Sequence, residues 1–288
     1  MPAQTMRGIG ASGAWWPLDI YHYPESVQNR VADLLFSEDG LKLTSYRYNL
    51  GGGGVFVGNP SRAPETPFIS PGVYNFSADP QGSFFLRKAA GARVPVLTAF
   101  VNSAPPYFTS NNRSCGGEIV NASITGYAQY ITDVLEYWRT QDVHITHVSP
   151  MNEPDDTFGS GVNTPCGQEG MEVTPYQRSL VINTLRQTFD NSTLLHDVGI
   201  MSDESSSTGN FIPEAPIWLP DSKNSLDAIS HHQYGFADDQ QVALLGQTAR
   251  NLSGDTESWF TEICCFAASD PSSADDPAAP LVYSGGFE

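Results

Sequence analysis

The sequence predicts a (β/α)8 barrel, and three observations carry that expectation. Short β-rich runs alternate with amphipathic helical spacings, which implies a parallel sheet joined by right-handed crossovers. The chain has 288 residues, enough for one such barrel, which typically takes about 250. The first strand–helix loop lacks G-x-G-x-x-G, so an open dinucleotide-binding sheet is disfavoured.

Strands are expected near 6–11, 42–49, 92–100, 144–151, 197–203, 226–233 and 257–263. Between them, Val27, Val31, Leu34 and Leu35 recur at helical spacing, as do Tyr127, Ile131, Val134, Leu135 and Trp138. A further helix opens at Thr174-Pro175, a cap followed by proline in the first turn, and continues through Val181, Leu185 and Phe189. Another runs through Val242, Leu245 and Ala249, whereas the Ser- and Pro-rich segment 204–225 is expected to hold only a short helix. A barrel closes with eight strands and only seven are legible. The chain is therefore expected to be a single domain over 1–288, truncated before its eighth strand, with strands one and seven presenting unpaired edges.

Composition narrows the function. With 40% apolar residues a sizeable core is expected, not disorder. The formal charge of −18, from 32 acidic and 14 basic residues, argues against nucleic acid or an anionic membrane as partner. No run of 18 apolar residues is present to span a bilayer. The N-terminus shows no basic-then-apolar leader, yet five Asn-x-Ser/Thr sequons begin at Asn75, Asn112, Asn121, Asn191 and Asn251. Cys115 and Cys166 fall in loops after successive strands and could be bridged. Cys264 and Cys265 are adjacent, so either one is buried as a thiol or both form a strained vicinal disulfide. These features favour a secreted, glycosylated monomer whose leader lies outside this sequence.

The chemistry lies at two strand ends. The fourth strand closes on HVSPMNEPDD and the seventh on ESWFTEICC, each delivering a glutamate, Glu153 and Glu262, where barrel enzymes keep catalytic groups. Strands four and seven face one another across the barrel mouth. Two acids across a cleft are what glycosidic cleavage requires, one to protonate the leaving oxygen and one to attack the anomeric carbon. Either glutamate alone reads as a surface or salt-bridged acid. The pair, each after an apolar β-run and one inside Asn-Glu-Pro, reads as catalytic.

Other constellations fail. His144 and His147 lie three apart on a strand and point to opposite faces, a poor metal pair, and His231-His232 likewise alternates. The Gly51–Gly54 run lacks the Lys-Ser/Thr of a phosphate loop and reads as a turn that lets backbone approach a substrate. No G-x-S-x-G elbow is present. Neither a metal nor a cofactor is expected.

MNEP on strand four and FTE on strand seven resemble glycoside hydrolase clan A. GIGASGAWW at the start, SYRYNLGGGG after strand two and AFVNSAPPYF after strand three narrow the resemblance to family 30, and most closely to its fungal branch of endo-β-1,6-galactanases. The resemblance implies Glu153 as acid/base and Glu262 as nucleophile, with Asn152 hydrogen-bonding the sugar 2-hydroxyl. It places Arg47 beside Glu262, and His232 and Tyr234 as groups orienting the nucleophile. Trp15 and Trp16 are candidates either for stacking on sugar or for the core. The implied substrate is β-linked polysaccharide, foremost β-1,6-galactan, with β-1,6-glucan and glucuronoxylan as alternatives. Family members carry an eighth strand with a subsite tryptophan and a β-sandwich side domain, neither of which is legible in this sequence. A non-catalytic carbohydrate-binding remnant is the competing reading.

Overall fold

The computed structural model describes residues 6–263 apart from Gly161 and Phe236. Seven strands form one sheet in chain order: β1 (Gly10–Ser12), β2 (Ser45–Asn49), β3 (Val96–Phe100), β4 (His147–Ser149), β5 (Gly199–Ser205), β6 (Ala228–His232) and β7 (Glu257–Glu262). Every neighbouring pair is parallel. The crossovers carry α1 (Glu25–Phe36), α2 (Pro80–Gly91), α3 (Ile124–Thr140), α4 (Pro175–Asp190), α5 (Thr208–Ser222) and α6 (Asp239–Ser253). The result is a nearly closed (β/α)8-type barrel, and all seven expected strands occur where the apolar runs place them.

Local chemistry sets the helix starts. Asp79 caps α2 by accepting from Gly82 N at 2.8 Å, with Pro80 supplying a preformed first turn. Thr174 with Gln177, and Asp238 with Gln241, form capping boxes at α4 and α6. The core lies between sheet and helices. Tyr46 meets Phe36 of α1 at 5.3 Å, and Tyr48 meets Trp138 of α3 at 6.1 Å. Strand alternation then turns Arg47, between the two tyrosines, toward the barrel axis.

The helix expected through Val27, Val31, Leu34 and Leu35 forms as α1, where Val31 and Leu35 pack against the core beside buried Gln28, Ala32 and Phe36, while Val27 and Leu34 stay exposed. One expectation needs correction. α5 is a full 15-residue helix despite Pro213, Pro216 and Pro220. All three prolines lie on its exposed face, so the carbonyls they leave unpaired have water available, while Phe211, Ala215, Trp218 and Leu219 hold the other face in the core.

Among the described residues β1 and β7 do not pair with each other. Arg7 spans the gap to Glu257, its Nε donating at 2.9 Å. A cavity of about 630 Å³ lies along this side, lined among others by Ser12, Arg47, Thr98, Met201, Trp259 and Thr261. No described helix is long and apolar enough to cross a membrane.

Candidate active site

The C-terminal ends of β2, β4, β5, β6 and β7 converge on one buried cluster. One oxygen of Glu153, one oxygen of Glu262 and one ring nitrogen of His232 all lie within 4.8 Å of one another. Glu153 follows β4 with φ 44°, a left-handed conformation that lifts its side chain out of the strand's alternation. The register slips on both sides of β6: Thr261 is an extra residue of β7 between the partners of His231 and His232, and Glu204 is an extra residue of β5 between the partners of Ser230 and His231.

Arg47 organises the Glu262 side. Its Nη1 donates to Glu262 Oε2 at 2.6 Å, its Nη2 to Asn152 Oδ1 at 3.1 Å and to Glu204 Oε1 at 3.2 Å. Its guanidinium also lies 3.9 Å from the centre of the Phe100 ring. The Tyr234 hydroxyl donates to Glu262 Oε1 at 2.9 Å, so both oxygens of Glu262 are held. Asn152 Nδ2 donates to Asn102 at 2.8 Å, and Asn102 in turn to Asn49 at 3.1 Å, which fixes the amide of Asn152.

His232 lies beside Glu262 but turns its ring nitrogens to two other carboxyls. Its Nδ1 meets Glu153 Oε1 at 3.1 Å and its Nε2 meets Glu204 Oε2 at 3.1 Å.

Electrostatics split the two glutamates. Burial pushes Glu153 above the usual carboxylate range against the hydrogen bond from His232, and the charges of Glu262 and Asp155 add to the rise. Burial also works to raise Glu262, but His232, Arg47 and the hydrogen bonds from Arg47 and Tyr234 outweigh it and hold the carboxyl below its ordinary value. Burial would lower His232, yet Glu262, Glu153 and Glu204 bring it up to about 10. Two cations and three acids thus share one water-poor site, an arrangement suited to exchanging charge between carboxylates. With both nitrogens of His232 engaged and Arg47 adjacent, the set is poorly suited to hold a metal cation.

The two tryptophans separate. Trp16 packs against Phe85 at 4.5 Å and donates from Nε1 to Ser12 O at 2.7 Å, so it belongs with the core. Trp15 takes φ 72° and is faced by the Arg62 guanidinium at 5.5 Å.

The loops around the mouth are cross-braced. Cys115 and Cys166 are bonded, with Cα atoms 6.3 Å apart, joining the loops after β3 and β4. The Gly51–Gly54 turn presents amides not to open space but to Glu169, whose carboxylate accepts from Gly52 N at 3.1 Å and Gly54 N at 2.7 Å. A Cβ on Gly52 would meet Ser103 O at 2.7 Å, so this turn requires glycine for its packing. All five sequon asparagines have exposed side chains. Cys264 and Cys265 lie outside the described residues.

Glu204, Asn102 and Thr261 belong to the cluster and were not singled out from sequence. The available signal was the acid in MSDESSS at the end of an apolar run, the same pattern that marks Glu153 and Glu262.

The chain is similar in fold to several solved structures. One is a conserved exported protein from Bacteroides fragilis, with 21% identity and TM-score 0.78 over 92% of this chain and 61% of that one. Another is the catalytic domain of the family 30 xylanase C from Talaromyces cellulolyticus, with 23% identity and TM-score 0.62 over 81% and 54%. A third is an endo-β-1,6-glucanase, with 16% identity and TM-score 0.69 over 92% and 57%. The chain thus spans less than two thirds of the length of each of these structures. Residues 2–265 match the sequence profile of O-glycosyl hydrolase family 30, and the chain belongs to that family.

Proposed function

We propose that residues 1–288 form a single catalytic domain that hydrolyses β-linked polysaccharide with retention, Glu262 acting as nucleophile and Glu153 as acid/base. The observation that supports this most is the carboxylate pair itself. Oxygens of Glu153 and Glu262 lie within 4.8 Å, and the two groups are shifted in opposite directions. Retaining pairs stand about 5–5.5 Å apart, whereas inverting pairs need about 6.5–9.5 Å to admit a water.

In the first step Glu262 Oε attacks the anomeric carbon while protonated Glu153 gives its proton to the glycosidic oxygen, whose bond to that carbon breaks. The products are a glycosyl ester on Glu262 and ionised Glu153. In the second step Glu153 takes a proton from water, and the water oxygen displaces Glu262. Asn152 spends one Nδ2 hydrogen on Asn102 and has a second to offer the sugar 2-hydroxyl. Tyr234 and Arg47 fix Glu262 for in-line attack.

β-1,6-Galactan is the favoured substrate, on the motif resemblance to the galactanase branch. β-1,6-Glucan and glucuronoxylan are the alternatives, since structures of similar fold include an endo-β-1,6-glucanase and a xylanase. The protein is read as secreted, supported by the five exposed sequons and the disulfide, and as a monomer. Its net charge of −18 speaks against a nucleic-acid partner. Product analysis on the three polymers tests the reading. Cleavage of galactan to β-1,6-linked oligosaccharides supports it, cleavage of another polymer alone moves the substrate, and binding without turnover leaves the carbohydrate-binding alternative.

A further inference from the structure

Glu204 is a third glutamate in the cluster, fully buried at the end of β5 with φ 61°. Its backbone carbonyl accepts from Glu153 N at 2.9 Å. Its Oε1 accepts from Arg47 Nη2 at 3.2 Å, and its Oε2 meets His232 Nε2 at 3.1 Å and accepts from Thr261 Oγ1. His232 then reaches Glu153 Oε1 through Nδ1 at 3.1 Å, and Arg47 reaches Glu262 Oε2 at 2.6 Å. An unbroken chain therefore joins the two opposed glutamates: Glu153, His232, Glu204, Arg47, Glu262.

The hydrogen-bond chemistry of this chain restricts its protons. A carboxylate only accepts, and a neutral imidazole donates from one nitrogen only. If His232 carries both protons, it donates to Glu204 and to Oε1 of Glu153. The acidic proton of Glu153 must then ride on Oε2, the oxygen the ring does not engage. If His232 is neutral and keeps its proton toward Glu204, Nδ1 must accept from Oε1. The acidic proton then points at the ring and cannot reach a glycosidic oxygen without rotating. The two states differ by one proton, and the anion on Nε2 decides between them.

Charge balance favours the first state. Arg47 and His232, both positive, match Glu204 and Glu262, both negative, and leave Glu153 neutral with its proton. After the glycosyl ester forms, the negative charge has moved from Glu262 to Glu153, which is the carboxylate beside His232. Each opposed glutamate thus has its own cation, and Glu204 is the fixed anion between the two cations. The groups facing His232 are Glu153 from the β4 loop, Glu204 from β5, Glu262 from β7 and Tyr234 from its own loop, with His231 adjacent in sequence. Against burial, the charge of Glu262 and the hydrogen bonds accepted by Glu153 and Glu204 keep the imidazole protonated through neutral pH.

We propose that Glu204 is a positioning residue: by holding Nε2 of His232 it keeps the ring doubly protonated, and so keeps the acidic proton of Glu153 on the oxygen free to reach substrate. This deepens the acid/base assignment of Glu153 and rests on it.

Nitrogen-15 NMR of the full chain, labelled at histidine and assigned with His232→Gln, reads the ring directly and needs no substrate. In the wild type both ring nitrogens of His232 should stay protonated from pH 5 to about 8.5, while in Glu204→Gln the ring should lose a proton at least about one pH unit lower. Glu204→Asp, which keeps the anion at a longer reach, should fall between. A wild-type ring that is neutral at pH 7, or a titration unchanged in Glu204→Gln, overturns the proposal whether or not the chain is a glycosidase. A kinetic arm uses aryl β-1,6-galactobiosides with leaving groups that do and do not need protonation. Glu204→Gln should lose at least about tenfold more activity on the former, because only that step uses the Glu153 proton. An equal loss on both contradicts the proposal. If Glu204→Gln does not fold, the wild-type ring spectrum and the leaving-group dependence of His232→Gln, expected to show the same selective loss, decide the matter.

Discussion

Glu153 and Glu262 bring carboxylate oxygens within 4.8 Å of each other from opposite sides of the barrel mouth, yet their ionisation is driven apart. The difference comes from their neighbours. Glu262 has Arg47 on one oxygen and Tyr234 on the other, while Glu153 is buried beside two further acids with a single hydrogen-bonded cation.

The pH profile of kcat/KM should therefore be bell-shaped. Glu262, with a depressed pKa, stays ionised until the pH falls below the usual carboxylate range, which sets the acid limb. Glu153, with a raised pKa, keeps its proton above that range, which sets the alkaline limb. His232, at about 10, does not titrate between them. Initial rates from pH 3 to 9 check this, and an activity that keeps rising to pH 9 would speak against Glu153 as the acid.

Arg47→Gln removes the cation shared by Glu262 and Glu204. The acid limb should move to higher pH, because the carboxylate of Glu262 loses its closest compensation. Unfolding stability should fall by about 3–5 kcal/mol, the usual cost of leaving a buried charge without its partner. Denaturant titration and the pH profile of the same variant test both statements. An unchanged acid limb would mean that Arg47 does not control Glu262.

Glu169 carries a stability signature. Burial pushes its carboxyl to about 8 against the pull of two backbone amides. Its folded pKa lies above the unfolded value, so its stabilising contribution is complete below about pH 4.5 and is lost as pH rises toward 8. Relative to Glu169→Gln, the wild type should lose stability on the order of a few kcal/mol between pH 5 and 8. The variant's loss of one acceptor for the Gly52 and Gly54 amides adds only a constant offset. Parallel thermal melts at pH 5 and 8 measure the slope, and equal slopes would place the Glu169 pKa outside that window.

The disulfide closes a loop of sequence separation 51. Replacing Cys115 and Cys166 together with Ala should cost about 2–4 kcal/mol of stability, chiefly by releasing the unfolded chain. Melting with and without reductant should show the wild type approaching the double variant only when reduced.

The seven strands were legible because each is a short apolar run bounded by turns, and the barrel followed from their alternation with helices. Which side chains face the mouth was less legible. Glu153 follows its strand in a left-handed conformation, and Glu204 adopts one inside β5 as the extra residue of that strand. Glu204 also opens a Ser-rich stretch that reads as loop, although it lies within the fully buried strand β5. No residue pattern announces Glu204 and Thr261 as the extra residues of β5 and β7. The α5 prolines misled for a related reason: proline opposes a helix on average, but here all three fall on the side where unpaired carbonyls meet water.

The roles of the two glutamates are tested most directly by azide rescue on an aryl β-glycoside with a good leaving group. In Glu262→Ala the space left by the carboxylate admits azide, which attacks the anomeric carbon once and should give the α-glycosyl azide. In Glu153→Ala the ester on Glu262 still forms, azide attacks in the second step, and two inversions should give the β-glycosyl azide. Proton NMR of the two products reads the anomers, and the assignment predicts α from the first variant and β from the second. The same anomer from both, or the reverse pairing, would contradict it.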